Sequence, residues 1–298
     1  MQQKIPKRQL NGVLLLDKPK GFSSNQALQR AKRLYAAAKA GHTGSLDPMA
    51  TGLLPVCFGE ATKFSHYLLD ADKTYLARIK LGATTTTGDA EGEVLQCLPV
   101  EVALEQVKAV LPTFQGPIFQ TPPMYSALKY QGKALYEYAR AGVEIERAAR
   151  SVTIYSIELN SFDSDVLDIA VACSKGTYIR TLAEDIGAAM GCGAHLIALR
   201  RTVTGTFEIS AAHSLEHLEQ MSPQQRDACL LPPDSLISSL PGVELDAESV
   251  FYIKRGQAVW KSGAASEGTM RLYGPDGEFL GIGERDEQGR IAPRRLVV

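Results

Sequence analysis

The sequence predicts an α+β fold, with a large mixed or antiparallel sheet in the main body and a small β-rich domain at the C-terminus. Three observations predict it. Apolar residues alternate with polar ones over Tyr75–Leu81 and Leu167–Cys173, the period of half-buried strands. Segments with the 3.6-residue helical period lie between such strands rather than in strict βα alternation. A Pro/Ser-rich stretch over residues 222–243 is followed by short strands punctuated by Asp276-Gly277 and Gln288-Gly289. The expected division is a first domain over residues 1–243 and a second over 244–298, within a chain of 298 residues.

Gly12–Asp17 reads as a short buried strand, closed by the Pro19 and Gly21 turn. Ser23 or Ser24 can N-cap a helix to about Ala38, since Leu28, Ala31, Leu34, Tyr35 and Ala38 share one face. Gly41–Thr51 reads as a loop and Leu53–Phe58 as a strand. Thr84–Glu93 is a polar turn region, Val102–Leu111 a helix, and Gln115–Gly142 irregular and then helical. Val152–Leu159 is a strand, Thr177–Met190 a helix, and His195–Arg201 and Gly205–Ile209 are strand-like.

Composition is that of an ordinary globular chain, 45% hydrophobic and 22% charged. No apolar run reaches the roughly 18 residues of a membrane span. The apolar run Val13–Leu16 stops at Asp17, too short for a signal-peptide core, so a cytoplasmic location is expected. The five cysteines form no C-x-x-C pair, and His213 and His217 lack the H-E-x-x-H pattern, so neither a disulfide framework nor a metal site is expected. Net charge is −1, but residues 1–40 hold nine Lys and Arg against the single acid Asp17. Residues 213–250 hold seven acids against one Arg. Two readings stand at this point: a basic binding face beside a separate acidic flank, or long cations that merely solubilise a helix.

The most informative stretch runs from Gly41 through His42, Thr43, Gly44, Ser45, Leu46, Asp47, Pro48, Met49, Ala50 and Thr51 to Gly52. Its glycines permit positive φ and close approach of a ligand, and Pro48 restricts Asp47 to an extended or turn conformation. A carboxylate on a stiff loop between a basic helix and a strand suits catalysis, although isolated Asp-Pro pairs also serve as plain turns.

This block resembles the catalytic motif of the TruB family of pseudouridine synthases. Six further blocks are similar to the family: Asn11–Gly21, Lys73–Tyr75, Thr87–Gly92, Gln120–Lys129, Cys173–Leu182 and Leu199–Gly205. Together they span residues 11–210 in order. The resemblance implies a pseudouridine-synthase-like catalytic domain and a PUA-like C-terminal domain. The activity it implies is isomerisation of uridine 55 in the T loop of tRNA. It puts Asp47 on the essential aspartate, Arg180 on the arginine that pairs with it, and Tyr178 on the residue that removes the C5 proton. It puts Tyr75 on the aromatic that stacks on the target base, and Leu199 on the wall of the uracil pocket. His42 falls on the residue that holds the T loop with the base flipped out, Asp89 in the polar network, and Lys18 and Lys20 in the N-terminal basic motif. On their own pattern Tyr75 and Leu199 read as core, and Arg180 and Glu184 as a helical i,i+4 pair.

The implied chemistry breaks N1–C1′, rotates the uracil and joins C5 to C1′, with no redox change and no added group. No cofactor or metal is therefore expected. Asp47 can act as nucleophile at C1′ or as base toward a sugar proton, and both remain open. Reaching the target requires base flipping, with stacking on an aromatic offsetting part of the cost. Tyrosines 125, 130, 136 and 138 interleave with Lys129, Lys133 and Arg140, and residues 112–150 are expected to form an insertion that clamps RNA. The expected partner is the tRNA T arm, without membrane, guide RNA or obligate protein partner. An additional role in tRNA folding, or a guide-dependent activity of the same fold, are the competing expectations.

Overall fold

The computed structural model describes residues 6–261 and 268–297. Lys4, counted above among the N-terminal cations, lies outside them.

The fold is α+β, built on a ten-stranded mixed sheet. Its main strands are β1 (Gly12–Lys18), β2 (Ala40–His42), β3 (Thr51–Phe58), β4 (Lys73–Leu81), β5 (Gly116–Gln120), β6 (Arg150–Asp163), β7 (Val166–Cys173) and β8 (Ala194–Thr204). Across the sheet the order is His213–Ser214, β1, β3, β8, β4, β7, β6, β5. All neighbours are antiparallel except β3 with β8 and β1 with the His213–Ser214 strand. The alternation read in the sequence is real: in β4, Tyr75, Ala77, Ile79 and Leu81 are buried between more exposed neighbours. The antiparallel pairing of β4 with β7 sets Tyr75 opposite Val171 and Ala77 opposite Ile169, so both strands bury the same face.

Two helices matter for the site. Helix α1 (Ser24–Leu34) has a Ser23 and Gln26 capping box, in which each side chain accepts from the other's backbone N–H. It ends four residues before the expected Ala38. Ala36 takes a left-handed φ of 50°, its N–H donating to the Arg33 carbonyl while that of Ala37 donates to Lys32. This is a glycine-type stop built on alanine, so the usual sequence signal is missing. Helix α2 (Ile179–Ala189) packs against the β8 strand and buries Leu182, Ala183 and Ile186.

The Pro/Ser-rich stretch over residues 222–243 packs against the main body. Pro223–Ala228 is helical behind a Ser222 cap, and Leu236 and Ile237 are buried. The seven-acid flank is not a separate surface. Arg8 pairs with Asp227 and Arg30 with Glu219, which joins the N-terminal cations to it directly. Beyond it, the strands β9 (Gly242–Glu244), β10 (Thr269–Tyr273), β11 (Phe279–Arg285) and β12 (Ile291–Leu296) form a four-stranded sheet. Its Phe279 and Ile282 join one apolar cluster with Leu53, Phe64 and Leu236, so the two sheets share buried surface.

Candidate active site

The Asp47 segment is held from three sides. From α1, the Ser24 hydroxyl donates to the Leu46 carbonyl at 3.1 Å and accepts from the Leu46 N–H at 2.7 Å. From the turn after β1, the Gly21 N–H donates to the Pro48 carbonyl at 2.8 Å. From β8, the guanidinium of Arg201 donates to the carbonyls of Leu53 at 2.8 Å and of Ser45 and Gly44 at 3.4 Å. Gly52 lets β3 approach this close: a Cβ there would lie 2.3 Å from the Arg201 carbonyl oxygen, and its φ is +104°.

Arg201 is 1% exposed. In the sequence it stands inside the Leu199–Gly205 block, and that position alone gives it no role. No signal in its own stretch marks it, because its acceptors lie 148 and 156 positions earlier in the chain.

Asp47 projects into a cavity of about 540 Å³ whose walls include His42, Asp89, Tyr125, Ser126, Tyr136 and Arg180. The Arg180 Nε meets its carboxylate at 2.9 Å and that of Asp89 at 3.6 Å. The remaining donors of Arg180 go to backbone, Nη1 to the Thr87 carbonyl at 2.9 Å and Nη2 to the Tyr125 carbonyl at 2.7 Å. All three guanidinium nitrogens thus have acceptors, which fixes the plane of the fork. Arg180 does not form the i,i+4 pair with Glu184 that its helical spacing allows; its fork is taken up by Asp47 and Asp89.

Burial holds the Asp47 carboxyl above the usual carboxylate range; Arg180 and, more weakly, Lys18 oppose this, while Asp89 adds to it. Asp89 is buried and accepts from the Thr87 hydroxyl at 2.6 Å and the Glu91 N–H at 3.0 Å. Its turn is pinned to β8, where the Leu196 N–H donates to Gly88 and the Ala90 N–H to Leu196.

Five residues expected at the site stand apart from the cavity walls. Lys18 does not face outward: it is fully buried, and its ammonium donates to the carbonyls of Phe22 at 2.6 Å, Pro19 at 3.0 Å and Pro48 at 3.5 Å. This corrects its reading as part of an outer basic face, because the carbonyls of the Pro19 turn close around it. Burial lowers its pKa to about 8, with Asp47 pulling the other way. Lys20 is exposed and lines a second cleft of about 430 Å³ together with Leu199 and Arg78. Tyr75 is 9% exposed and Leu199 8%, both in the core cluster that contains Leu46 and Met49.

Tyr178 is the N-cap residue of α2. The Gln120 side-chain amide clasps its backbone, accepting from the Tyr178 N–H at 3.0 Å and donating to its carbonyl at 3.2 Å. Burial raises its phenol's pKa, against the opposing effects of Ser126, Arg150 and Arg180. His42 lines the cavity, with its pKa lowered by burial and by Arg201 and its Nδ1 without a partner.

Of the residues 112–150 expected to clamp RNA, Gly116–Gln120 belongs to the main sheet, and the part that follows lines one wall of the cavity. It comprises a hairpin, Lys129–Tyr130 with Lys133–Ala134, and a helix over Leu135–Arg140. Tyr136 and Arg140 line the cavity with the guanidinium 5.3 Å from the ring centroid.

A buried Arg fork thus aims a carboxylate into this cavity on the mixed sheet, and the family comparisons give the class of protein as a pseudouridylate synthase. Residues 32–179 match the model described as TruB family pseudouridylate synthase (N terminal domain). Residues 180–238 match the tRNA pseudouridylate synthase B C-terminal domain, and 241–297 the pseudouridine synthase II TruB C-terminal model. The chain belongs to the TruB family. It is 60% identical over 297 residues to a protein of Methylobacillus flagellatus named tRNA pseudouridine synthase B, covering 100% of this chain and 98% of that protein. It is 56% identical to the protein of that name from Azoarcus sp., with the same coverage. A chain in a crystal structure of a Cbf5–Nop10–Gar1 complex superposes with a TM-score of 0.72 at 26% identity, covering 96% of this chain and 84% of that one.

Proposed function

We propose that this enzyme converts uridine 55 in the T loop of tRNA to pseudouridine, working alone in the cytoplasm without a guide RNA or protein partner. The single observation that carries the proposal is the Asp47–Arg180 pair at 2.9 Å, presented to a cavity large enough for one nucleoside. The 60% identity to a tRNA pseudouridine synthase B supports tRNA as the substrate class.

The target uridine is extruded into the cavity at a cost of a few kcal/mol. Asp47, ionised and oriented by Arg180, then acts on the ribose, either as nucleophile at C1′ or as base toward a sugar proton. The N1–C1′ bond breaks, the uracil turns, and C5 bonds to C1′; on the first route this displaces the Asp47–C1′ ester bond, and on the second Asp47 returns the proton to the sugar. The C5 proton leaves by way of the Tyr178 phenol, which burial keeps protonated and which passes its own O–H proton on to solvent as it takes the new one, while N1 takes up a proton, so atoms and charge balance and no cofactor is needed. Asp89 keeps Arg180 in plane. His42, held neutral by its lowered pKa, supports the opened T loop by hydrogen bonding rather than by charge. Lys20 contacts phosphate, whereas Lys18 acts from beneath by tying the Pro19 turn to Pro48. Stacking of the base on Tyr75 and contact with Leu199 require side chains around them to move on binding, since both are nearly covered.

The test is the purified chain incubated with an isolated T-arm hairpin. Stoichiometric pseudouridine at the position equivalent to 55 is expected. Absence of product unless a second RNA or protein is added overturns the stand-alone reading, and product at another uridine overturns the site assignment.

A further inference from the structure

We infer that Ser126 is a further substrate-contacting residue of this site, its hydroxyl held ready for a polar atom of the extruded nucleoside. The inference rests on the function proposed above and adds a residue to it.

Buried polar atoms nearly always have partners, and one left without costs about 1–3 kcal/mol. Among the described residues, the buried side-chain atoms without a hydrogen-bond partner include Ser126 Oγ, His42 Nδ1, Thr43 Oγ1 and Thr204 Oγ1. Thr43 and Thr204 are fully buried and line neither of the two cavities. Ser126 and His42 line the Asp47 cavity. Ser126 is only 6% exposed, so its hydroxyl has little bulk water to turn to.

The backbone that carries Ser126 is pinned on both sides. Its N–H donates to the Met124 carbonyl at 2.9 Å, and its carbonyl accepts from the Tyr136 N–H at 3.1 Å. The preceding carbonyl, of Tyr125, accepts from Arg180. The same guanidinium that orients Asp47 therefore fixes the turn that presents Ser126. The hydroxyl is near enough to Tyr178 to lower the pKa of its phenol, yet the pair does not reach hydrogen-bond geometry. Uracil carries two carbonyl oxygens and an imide N–H, and ribose carries hydroxyls; a serine hydroxyl serves any of them as donor or acceptor. Because Ser126 belongs to the insertion, this contact forms only when the insertion is closed over the nucleoside, in register with Asp47.

The test compares Ser126→Ala and Ser126→Cys with the wild type in single-turnover pseudouridine formation on the T-arm hairpin at saturating enzyme. Hairpin affinity and thermal unfolding are measured alongside. In Ser126→Ala the rate is expected to fall about three- to tenfold, the size of one hydrogen bond. Melting temperature should be unchanged or higher, because the free protein loses no bond. Ser126→Cys fills the space but hydrogen-bonds weakly, and should show the same loss. An unchanged Ala rate overturns the inference. So does a full rate in the Cys variant, which would make the residue a packing element, or a rate loss that tracks a lower melting temperature. A wild type that makes no pseudouridine overturns the proposed function itself, and the Ser126 role with it.

Discussion

Replacing Arg180 by lysine probes the charge geometry while leaving a cation in place. Arg180 is 5% exposed in its side chain and serves four acceptors: Asp47, Asp89 and the carbonyls of Thr87 and Tyr125. A lysine is shorter, has no fork, and reaches one or two of these. At least two charge-assisted bonds are lost, each worth about 1.5–3 kcal/mol, or about 3–6 kcal/mol in all. The bonds to Thr87 and Tyr125 are well shielded and fall mainly on stability. The Asp47 share is smaller than its burial suggests, because its carboxylate is 39% exposed and partly screened by water. Setting about 1.4 kcal/mol, the low end for one charge-assisted bond, against the chemical step gives a rate about tenfold lower. Weakening the main opposing influence also moves the Asp47 pKa further up, so the acid limb of the rate–pH profile shifts to higher pH. Single-turnover rates from pH 5 to 9, with thermal unfolding as the control for folding, make the measurement. A lysine variant with the wild-type rate and an unmoved acid limb would refute the role of the fork.

Three further outcomes follow from individual residues. Lys18 holds its proton only to about pH 8, against about 10.5 when unfolded, so Asp47 loses a positive neighbour above pH 8 and the rate should fall there; in Lys18→Met that alkaline step disappears, and a persistent step would assign it to another group. For stability the sign is reversed: the folded pKa is lowered, so the penalty for burying this cation is present below pH 8 and relieved as pH rises from 8 toward 10.5. Ala36→Gly should stabilise by about 1 kcal/mol, read by denaturant midpoint, because the left-handed φ of 50° suits glycine; a destabilised variant would contradict the reading of the helix stop. Lys20→Gln should reduce the salt slope of RNA affinity by about one unit, whereas Arg30→Gln, whose cation already pairs with Glu219, should change it less; equal slopes for both variants would show that the pairing does not matter for binding.

The parts of this molecule that were legible in its sequence are those set by a short-range period. The buried face of β4, the capping serine of α1 and the Asp-Pro turn at Asp47 each follow from residues within a few positions. What was not legible depends on partners far apart in the chain. Lys18 reads as a surface base until Pro48, 30 positions away, is seen to join the carbonyls of its own turn around the ammonium. Arg201 reads as one of two adjacent arginines until β3 pairs with β8 and brings Leu53 and Ser45 to its guanidinium. Arg200, beside it, points the other way and pairs with Asp17, the lone acid of the N-terminal segment. The acidic flank reads as a separate solvated surface until Asp227 and Glu219 are found on Arg8 and Arg30. Ala36 hides a helix stop because alanine is a good helix former, and only the fold forces its positive φ.

The central claim is that one carboxylate, at position 47, does the chemistry while contributing little to RNA affinity. It is tested most directly by mapping pseudouridine in a T-arm hairpin treated with Asp47→Asn protein whose hairpin affinity has been measured in the same preparation. The account predicts no detectable pseudouridine with affinity within about a few fold of wild type, since one hydrogen bond at most is changed on the RNA side. Turnover at the wild-type rate by that variant would contradict it.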